Sequence, residues 1–138
     1  MLQENGIVIL KESSTLETEA LGFFSPNKFL NSIILAETTL TPENLIRLFL
    51  KIEMKLGRLR QADGYSDRTV DLDLIFYGDL IIKGKTVEVP HPRMQERMFV
   101  LEPLAEVAPD WLHPVLKKTV RELKKDLQEN EDRQAEAL

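Results

Sequence analysis

The sequence predicts an α+β fold, because apolar segments with strand character and segments with helical spacing follow one another without a regular strand–helix–strand repeat. The chain has 138 residues, of which 43% are hydrophobic and 30% are charged, which is typical of one globular domain with its own core. We expect a single domain over residues 1–128 and a charged, frayed C-terminal tail over residues 129–138.

The first half of the chain is predicted to contain two strands that flank a loop. Residues 7–18 open with a run of Ile and Val and predict the first strand. Residues 22–27 contain Gly, Ser, Pro and Asn, which favour a loop. Residues 28–38 predict the second strand.

A helix follows these strands. Thr41 is its predicted N-cap, Pro42 its first residue and Gly57 its stop signal. Apolar side chains at helical spacing form one stripe, which consists of Leu45, Leu48, Phe49, Ile52 and Leu56.

The second half begins with a polar loop at residues 61–67 and a third strand at residues 68–79, which Gly78 and Asp79 end. A short hairpin around Gly84 is predicted over residues 80–91.

Two helices complete the prediction. The first covers residues 94–109 and contains a proline. The last runs from Thr119 to about Gln128 and begins with a capping box of Thr119 and Glu122.

Composition excludes several functional classes. The formal net charge of -5 and the pI near 5.1 argue against general binding of nucleic acid or anionic membranes. The sequence has no cysteine, which excludes disulfides and fits a cytoplasmic, reducing compartment. No apolar run is long enough to span a bilayer, and the N-terminus has no signal-peptide pattern.

Two carboxylates occupy the predicted third strand, which contains the sequence RTVDLDLIFY. Side chains alternate along a strand, so Asp71 and Asp73 share one face, about 7 Å apart, while Leu72 and Leu74 share the core face. A solvated sheet face would explain the pair equally well. A magnesium site would also explain it, because Mg²⁺ binds one or two carboxylates together with phosphate and water.

Basic side chains flank this pair in an otherwise acidic protein. Arginine binds phosphate through two parallel hydrogen bonds, although exposed arginines often form only weak surface ion pairs. No glycine-rich phosphate-binding motif is present, so side chains would have to hold a nucleotide's phosphates. The flanking residues are Arg58, Arg60, Arg68, His91, Arg93 and Arg97.

Asn31 is a polar residue among the apolar side chains of the second predicted strand. An amide there has to find partners, and a bond to the local backbone is the simpler explanation. The alternative is recognition of a flat heterocycle, which the amide can read through one donor and one acceptor while aromatic rings stack on it.

Together these segments resemble the 6-hydroxymethyl-7,8-dihydropterin pyrophosphokinase family of folate biosynthesis. The resemblance extends from about Ser13 to Pro114 and is strongest over residues 57–79 and 89–109, with a third similar segment over residues 18–31. It implies a ferredoxin-like antiparallel sheet with packed helices. It also implies transfer of pyrophosphate from ATP to the pterin hydroxymethyl group, with release of AMP.

The resemblance assigns a role to each matching position. Asp71 and Asp73 correspond to the ligands of two Mg²⁺ ions. The residues that correspond to the catalytic and ATP-binding positions are Arg58, Arg60, Arg68, His91, Arg97, Glu53, Tyr65 and Leu74. The residues that correspond to the pterin-binding positions are Thr18, Leu21, Phe29, Asn31 and Phe99.

Two other interpretations remain open at this point. The chain could be a non-catalytic pterin- or nucleotide-binding remnant of the same family, or an unrelated ferredoxin-like regulatory domain that binds a small anion. The resemblance also implies an N-terminal strand and helix, of which only the helix end is similar to residues 1–6. It therefore predicts a shortened form of a longer chain, or a strand position that is closed by rearrangement or filled by a second chain.

Overall fold

Helices and short antiparallel strand pairs make up the structure, which confirms the predicted α+β class. The structure is a computed structural model that describes residues 5–19, 28–62 and 71–136, without the side chains of residues 16–19, 28–29, 58–62 and 135–136. The strands are β1 (Ile7–Glu12), β2 (Leu16–Glu19), β3 (Lys28–Asn31), β4 (Ile34–Thr38), β5 (Ile82–Lys83) and β6 (Glu88–Val89). The helices are α1 (Pro42–Ala62), α2 (Met98–Val107) and α3 (Val120–Glu136), with a 3₁₀ turn at Met94–Glu96 before α2.

The strands pair two by two within the described ranges. β1 pairs with β4, β2 with β3 and β5 with β6, and all three pairs are antiparallel. The β5–β6 pair confirms the predicted hairpin around Gly84, whose N–H donates to the Val87 carbonyl at 2.9 Å. The ferredoxin-like sheet is therefore present in part, as separate antiparallel pairs.

The predictions of continuous strands over residues 7–18 and 28–38 were wrong, because both segments break at the same junction. Ser13 N–H donates to the Ile33 carbonyl at 2.8 Å, and Ile33 N–H donates to Ser13 Oγ at 2.7 Å. The Ser13 hydroxyl in turn donates to the Ser14 carbonyl at 3.0 Å. A serine hydroxyl thus replaces one backbone acceptor of the ladder, and the chain leaves one strand pair to enter the next.

α1 begins as predicted but does not end as predicted. Thr41 Oγ1 accepts a hydrogen bond from Asn44 N–H at 3.2 Å, which confirms the N-cap. Gly57 was expected to stop the helix, yet it retains helical backbone and α1 continues to Ala62. Residues 61 and 62 therefore belong to the helix, while the rest of the loop predicted at residues 61–67 lies outside the described residues, as does the loop predicted at 22–27.

The main hydrophobic core lies between α2 and α3. Met94, Leu101 and Val120 are fully buried there, and Pro103 is buried inside α2. Partly buried side chains from β4 and from residues 75 and 76 pack against this cluster. The predicted helix over residues 94–109 is thus a 3₁₀ turn followed by α2, divided at Arg97, whose backbone is extended.

α3 starts with the predicted capping box. Thr119 Oγ1 accepts from Glu122 N–H at 3.2 Å, and Glu122 Oε1 accepts from Thr119 N–H at 3.0 Å. The helix continues to Glu136, well past the predicted end at Gln128. The division into one domain and a tail after residue 128 stays a prediction, although residues 129–136 continue α3 as regular helix.

Residues 71–77, called the DxD segment below, were predicted as the end of a third strand. The segment pairs with no strand among the described residues, so this prediction was wrong for that part of it. The predicted turn at Gly78 is confirmed, since Gly78 has a positive φ of 56° and Leu80 N–H donates to the Tyr77 carbonyl at 3.1 Å. Across the described ranges, no helix combines the length and apolar character needed to cross a membrane.

Candidate active site

Contacts with four parts of the chain hold the DxD segment in place. Leu72 N–H donates to Glu53 Oε1 of α1 at 2.7 Å, and the Ile75 carbonyl accepts from His91 N–H at 2.9 Å. Tyr77 Oη donates to the Leu40 carbonyl at 2.6 Å. Phe76 stacks on Trp111 with a centroid distance of 5.6 Å and an interplanar angle of 9°. The segment is therefore anchored by side chains and one backbone bond to its neighbours, instead of by a strand ladder.

Within the segment, the acids and the apolar residues separate as predicted. Asp71 and Asp73 are exposed, while Leu72 and Leu74 are half-buried. The neighbouring apolar residues Ile75 and Phe76 reach the α2–α3 core. Packing of the apolar side chains thus presents both carboxylates to solvent on the other side, which is the arrangement that a metal-binding pair requires.

His91 lies beside this pair. Its side chain is half-buried, and burial lowers the pKa of the imidazole, an effect that the nearby Asp73 carboxylate opposes. Nδ1 accepts a hydrogen bond from Arg93 N–H at 3.4 Å, so the proton of the neutral ring resides on Nε2. A neutral His91 therefore offers one N–H donor next to Asp73.

Arg97 and Phe99 form a second contact near the start of α2. The Arg97 guanidinium lies 5.8 Å from the centroid of the Phe99 ring, which is within range for a cation–π contact. Phe99 also packs against the α2–α3 core. One face of this ring is thus already in contact with a side chain of the protein.

Three of the predicted pterin-binding positions lie on the β2–β3 pair. Thr18 is directly opposite Phe29, and Leu16 is directly opposite Asn31. Residues two apart share a face, so Thr18, Phe29 and Asn31 are on one face of this pair. Asn31 is half-buried. Leu21 lies outside the described residues, and so do the side chains of Thr18 and Phe29.

The arginine positions fall largely outside what the structure describes. Arg58 and Arg60 are in the last turns of α1, without described side chains, and Tyr65 and Arg68 are not described. Glu53, expected to line the nucleotide site, binds the backbone of the DxD segment through Leu72. Leu74 is half-buried and lines a groove beside the DxD segment.

The two carboxylates of Asp71 and Asp73 suit Mg²⁺ only when phosphate supplies further ligands. The described residues contain no group of three or more His, Cys, Asp or Glu side chains that could hold a metal ion. Among the side chains that the structure describes, none forms an ion pair with Asp71 or Asp73. Mg²⁺ needs one or two carboxylates when phosphate and water complete its shell. The pair therefore suits a metal that arrives with a nucleotide, and not a site built from protein ligands alone.

A groove of about 730 Å³ lies beside the DxD segment. Its walls are β4 with residues 32–33 and the DxD segment with Gly78. Further lining comes from α1, α2, the start of β1 and nearby loop residues that include Trp111. We call it the central groove. Its volume is within the range of small-molecule sites, and Asp71 and Asp73 belong to its lining.

Comparison with known proteins places the chain in a family. A family model described as 7,8-dihydro-6-hydroxymethylpterin-pyrophosphokinase matches residues 1–109. The chain belongs to this family. The matched range covers every described strand, α1, α2 and the DxD segment, so the predicted resemblance is confirmed.

Curated relatives agree with this assignment. The 2-amino-4-hydroxy-6-hydroxymethyldihydropteridine pyrophosphokinase of Synechocystis sp. is 42% identical over 118 residues, which cover 86% of this chain and 60% of the relative. The protein of the same name from Aquifex aeolicus is 35% identical, over 88% of this chain and 75% of the relative. The folic acid synthesis protein fol1 of Pneumocystis carinii is 40% identical, over 80% of this chain and 15% of the relative. The chain thus spans about three fifths of the Synechocystis protein and a small part of the fungal one.

Several contacts around the site were not predicted from the sequence. Glu106 of α2 accepts hydrogen bonds from Ser14 N–H at 2.9 Å and from Ser14 Oγ at 2.8 Å, and these bonds lower the pKa of its carboxyl. Two side chains hold the turn at Gly78 in place. Tyr77 binds the Leu40 carbonyl, and Trp111 Nε1 donates to the Gly78 carbonyl at 3.3 Å. No local spacing links such distant positions. In the sequence, these contacts were signalled only by a tyrosine at the end of a predicted strand, Tyr77, and by the serine pair Ser13 and Ser14.

Proposed function

We propose that this chain transfers pyrophosphate from ATP to the hydroxymethyl group of 6-hydroxymethyl-7,8-dihydropterin and releases AMP, as a step of folate biosynthesis. The observation that carries the proposal is the family match over residues 1–109, which includes both exposed aspartates and His91 beside them. The names of the Synechocystis and Aquifex relatives describe the same activity.

In this proposal, Asp71 and Asp73 hold two Mg²⁺ ions that arrive with ATP. Bound Mg²⁺ would neutralise phosphate charge and orient the reacting oxygens. The role of the chain is to keep two carboxylates exposed, on one side of a segment that Glu53, Ile75 and Tyr77 hold in place. This kind of transfer depends mainly on positioning and electrostatic stabilisation, which such a segment can supply.

His91 and the arginines bind the triphosphate in this proposal. The neutral His91 ring donates from Nε2 toward a phosphate oxygen, because its Nδ1 is already an acceptor for Arg93 N–H. The guanidinium groups of Arg58, Arg60, Arg68 and Arg97 supply positive charge where the leaving AMP develops negative charge. Glu53, Tyr65 and Leu74 complete the nucleotide site.

The pterin binds against the β2–β3 pair in this proposal. The register puts Thr18, Phe29 and Asn31 on one face, which supports a common role for the three. Asn31 reads the edge of the heterocycle and Phe29 stacks on the ring, together with Phe99 and the backbone of Thr18 and Leu21. Phe99 can stack only through the ring face that Arg97 leaves uncovered.

The first prediction tests the aspartate pair. Asp71→Asn and Asp73→Asn keep the size of the side chain and remove its charge, so each should lower the rate of AMP formation at saturating Mg²⁺ and substrates on the order of 100-fold or more. Asp79→Asn is the matched control, because Asp79 is also exposed and lies in the turn just beyond the segment.

Circular dichroism should show the same melting for all three variants, because each removes an exposed charge. Full turnover in the Asp71 and Asp73 variants would rule out the proposed metal role. Absence of turnover in the unchanged chain, with ATP and pterin still bound in calorimetry, would favour the non-catalytic remnant. The DxD segment has no strand ladder with any described segment, and this observation keeps the second candidate open.

A further inference from the structure

Two neighbouring serines hold the base of the β2–β3 pair in different ways. Ser13 exchanges backbone and hydroxyl hydrogen bonds with Ile33, which lies between β3 and β4. Ser14 binds α2 instead, because its N–H donates to Glu106 Oε1 at 2.9 Å and its hydroxyl lies 2.8 Å from both carboxylate oxygens. Ser14 and Glu106 are 92 residues apart in the chain, so this contact joins two elements that the sequence does not connect locally.

The two donors of Ser14 favour an ionised carboxylate at Glu106. Hydrogen bonds from the Ser14 backbone and hydroxyl lower the pKa of this carboxyl below its ordinary value, so at neutral pH it only accepts hydrogen bonds. Hydrogen bonds to an ionised carboxylate are shorter and stronger than those between neutral groups. Both residues are exposed, where water competes for the same groups, so the contact fixes a position more than it stabilises the core.

The Ser14 contact lies close to the pterin-binding positions of the β2–β3 pair. Ser14 comes two residues before Leu16, which is directly opposite Asn31. Thr18 is opposite Phe29, about 7 Å further along the pair. β2 also packs against α2 in addition to its partner strand β3. A shift of Ser14 relative to α2 would therefore move these positions relative to α2 as well.

α2 carries Phe99 on the same face as Glu106. The two residues are seven positions apart, which is two helical turns and about 10 Å, and residues at this spacing share one face of a helix. Phe99 packs against the α2–α3 core, and the Arg97 guanidinium lies 5.8 Å from its ring centroid. The core thus holds Phe99, while Glu106 connects the same face of α2 to the strands that carry Phe29 and Asn31.

We propose that Glu106 is a positioning residue of the pterin site, which sets the spacing between β3, the strand of Phe29, and Phe99 of α2 by holding Ser14. This inference rests on the proposed function, since it needs a flat substrate between two aromatic rings. Stacking on both faces of a ring requires planes about 7 Å apart, twice the usual contact distance between carbon atoms. Glu106 raises the fraction of molecules that have this spacing, and the apparent affinity for the pterin rises with that fraction.

Calorimetry tests this role with 6-hydroxymethylpterin as the probe, titrated into the full chain with Mg²⁺ and a non-hydrolysable ATP analogue. Glu106→Ala should weaken pterin binding about ten-fold, because both hydrogen bonds to Ser14 are lost. Binding of the ATP analogue alone should change by less than about two-fold, since the proposed nucleotide site is at the DxD segment and His91. In steady-state kinetics, the KM for the pterin should rise while kcat stays within about three-fold of its original value.

Three further variants separate the hydrogen bonds from the charge. Glu102→Ala is the matched control, because Glu102 is an exposed glutamate of α2 one turn closer to Phe99, and it should leave pterin binding unchanged. Glu106→Gln retains an acceptor for the Ser14 N–H and should restore most of the affinity. Ser14→Ala loses only the hydroxyl bond and should weaken binding less than Glu106→Ala. The double variant should bind no more weakly than Glu106→Ala alone, because the two residues act through one contact.

Amide exchange provides a readout that needs no turnover. In Glu106→Ala, faster exchange confined to the β2–β3 ladder would support the positioning role, because it would show that the pair has lost its attachment to α2. Equal weakening of pterin and ATP-analogue binding, together with a lower melting temperature, would mean that Glu106 only stabilises the fold and would overturn the proposal.

The remaining outcomes distinguish this proposal from the proposed function. If the unchanged chain bound the pterin and Glu106→Ala bound it equally well, the positioning role would be wrong and the proposed function would stand. If the unchanged chain bound no pterin, the proposed function would be wrong, and the positioning role would be wrong with it.

Discussion

At the residue scale, Glu53 shows how one side chain can replace part of a strand ladder. Its carboxylate accepts from Leu72 N–H at 2.7 Å, and both residues are half-buried. Leu72 lies between Asp71 and Asp73, so this hydrogen bond fixes the backbone between the two proposed metal ligands. The sequence pointed to Glu53 only as a residue of the nucleotide site.

The second prediction tests this hydrogen bond. Glu53→Ala should lower the free energy of unfolding by about 1–3 kcal/mol, because it leaves a half-buried N–H without its acceptor. Glu53→Gln retains a carbonyl acceptor and should lower it by much less. Urea unfolding measures both, with Glu102→Ala, on the exposed side of α2, as the control. Equal losses for alanine and glutamine would mean that charge, and not the hydrogen bond, is what matters.

At the element scale, α1 and the turn at Gly78 use glycine in opposite ways. Gly57 has helical backbone inside α1, and nothing lies within 4 Å of a Cβ placed there. Gly78 has a φ of 56°, which side-chain-bearing residues rarely adopt, and it too has open space around it. Backbone conformation alone therefore distinguishes the two positions.

The third prediction follows from that difference. Gly57→Ala should raise the free energy of unfolding by about 0.5–1 kcal/mol, because alanine favours the helix interior. Gly78→Ala, the matched change, should lower it by about 1 kcal/mol or more, since alanine is strained at this φ. Chemical denaturation of both variants provides the comparison. Destabilisation by Gly57→Ala would instead indicate that the helix ends at Gly57, as its sequence signal suggested.

At the scale of the whole molecule, His113 connects the core to the surroundings of the DxD segment. It is only 4% exposed, and its ring lies edge-on to Phe76 with a centroid distance of 5.7 Å. Nδ1 accepts from Val115 N–H at 3.2 Å and from Leu116 N–H at 3.0 Å. Burial lowers the pKa of this imidazole below its ordinary value of 6.5, so the folded chain favours the neutral ring.

The fourth prediction is a loss of stability in mild acid. The unfolded chain takes up a proton at His113 near pH 6.5, while the folded chain resists it, so the stabilisation is complete above pH 6.5 and falls as pH drops toward the lower folded-state pKa. Melting temperatures between pH 8 and pH 5 should show this fall. His113→Asn retains an acceptor but does not titrate, so its profile should be flatter over the same window.

Carboxylates do not account for the same window. Hydrogen bonds from Ser14 and Thr119 lower the pKa values of Glu106 and Glu122 from 4.5, so their contributions are lost only at more acidic pH. Burial also lowers the pKa of His91, so this histidine can contribute in the same window. If the His113→Asn variant followed the unchanged chain between pH 7 and pH 5, His91 and not His113 would be responsible for the acid sensitivity.

The sequence by itself determined those features that depend on neighbouring residues. The N-caps at Thr41 and Thr119, the hairpin around Gly84 and the turn at Gly78 all form as predicted, because each is a hydrogen-bond or backbone requirement met within a few positions. The alternation of Asp71 and Asp73 with Leu72 and Leu74 was also predictable, since it follows from the geometry of any extended segment.

Only the tertiary structure decided which extended segments pair. Ser13 ends a strand because its hydroxyl meets Ile33, and the DxD segment remains without a strand ladder because its described neighbours are Glu53, His91 and Leu40. Gly57 stays helical although its local signal favours a stop. The physical reason is that a strand depends on partners distant in sequence, and a weak local preference yields to packing.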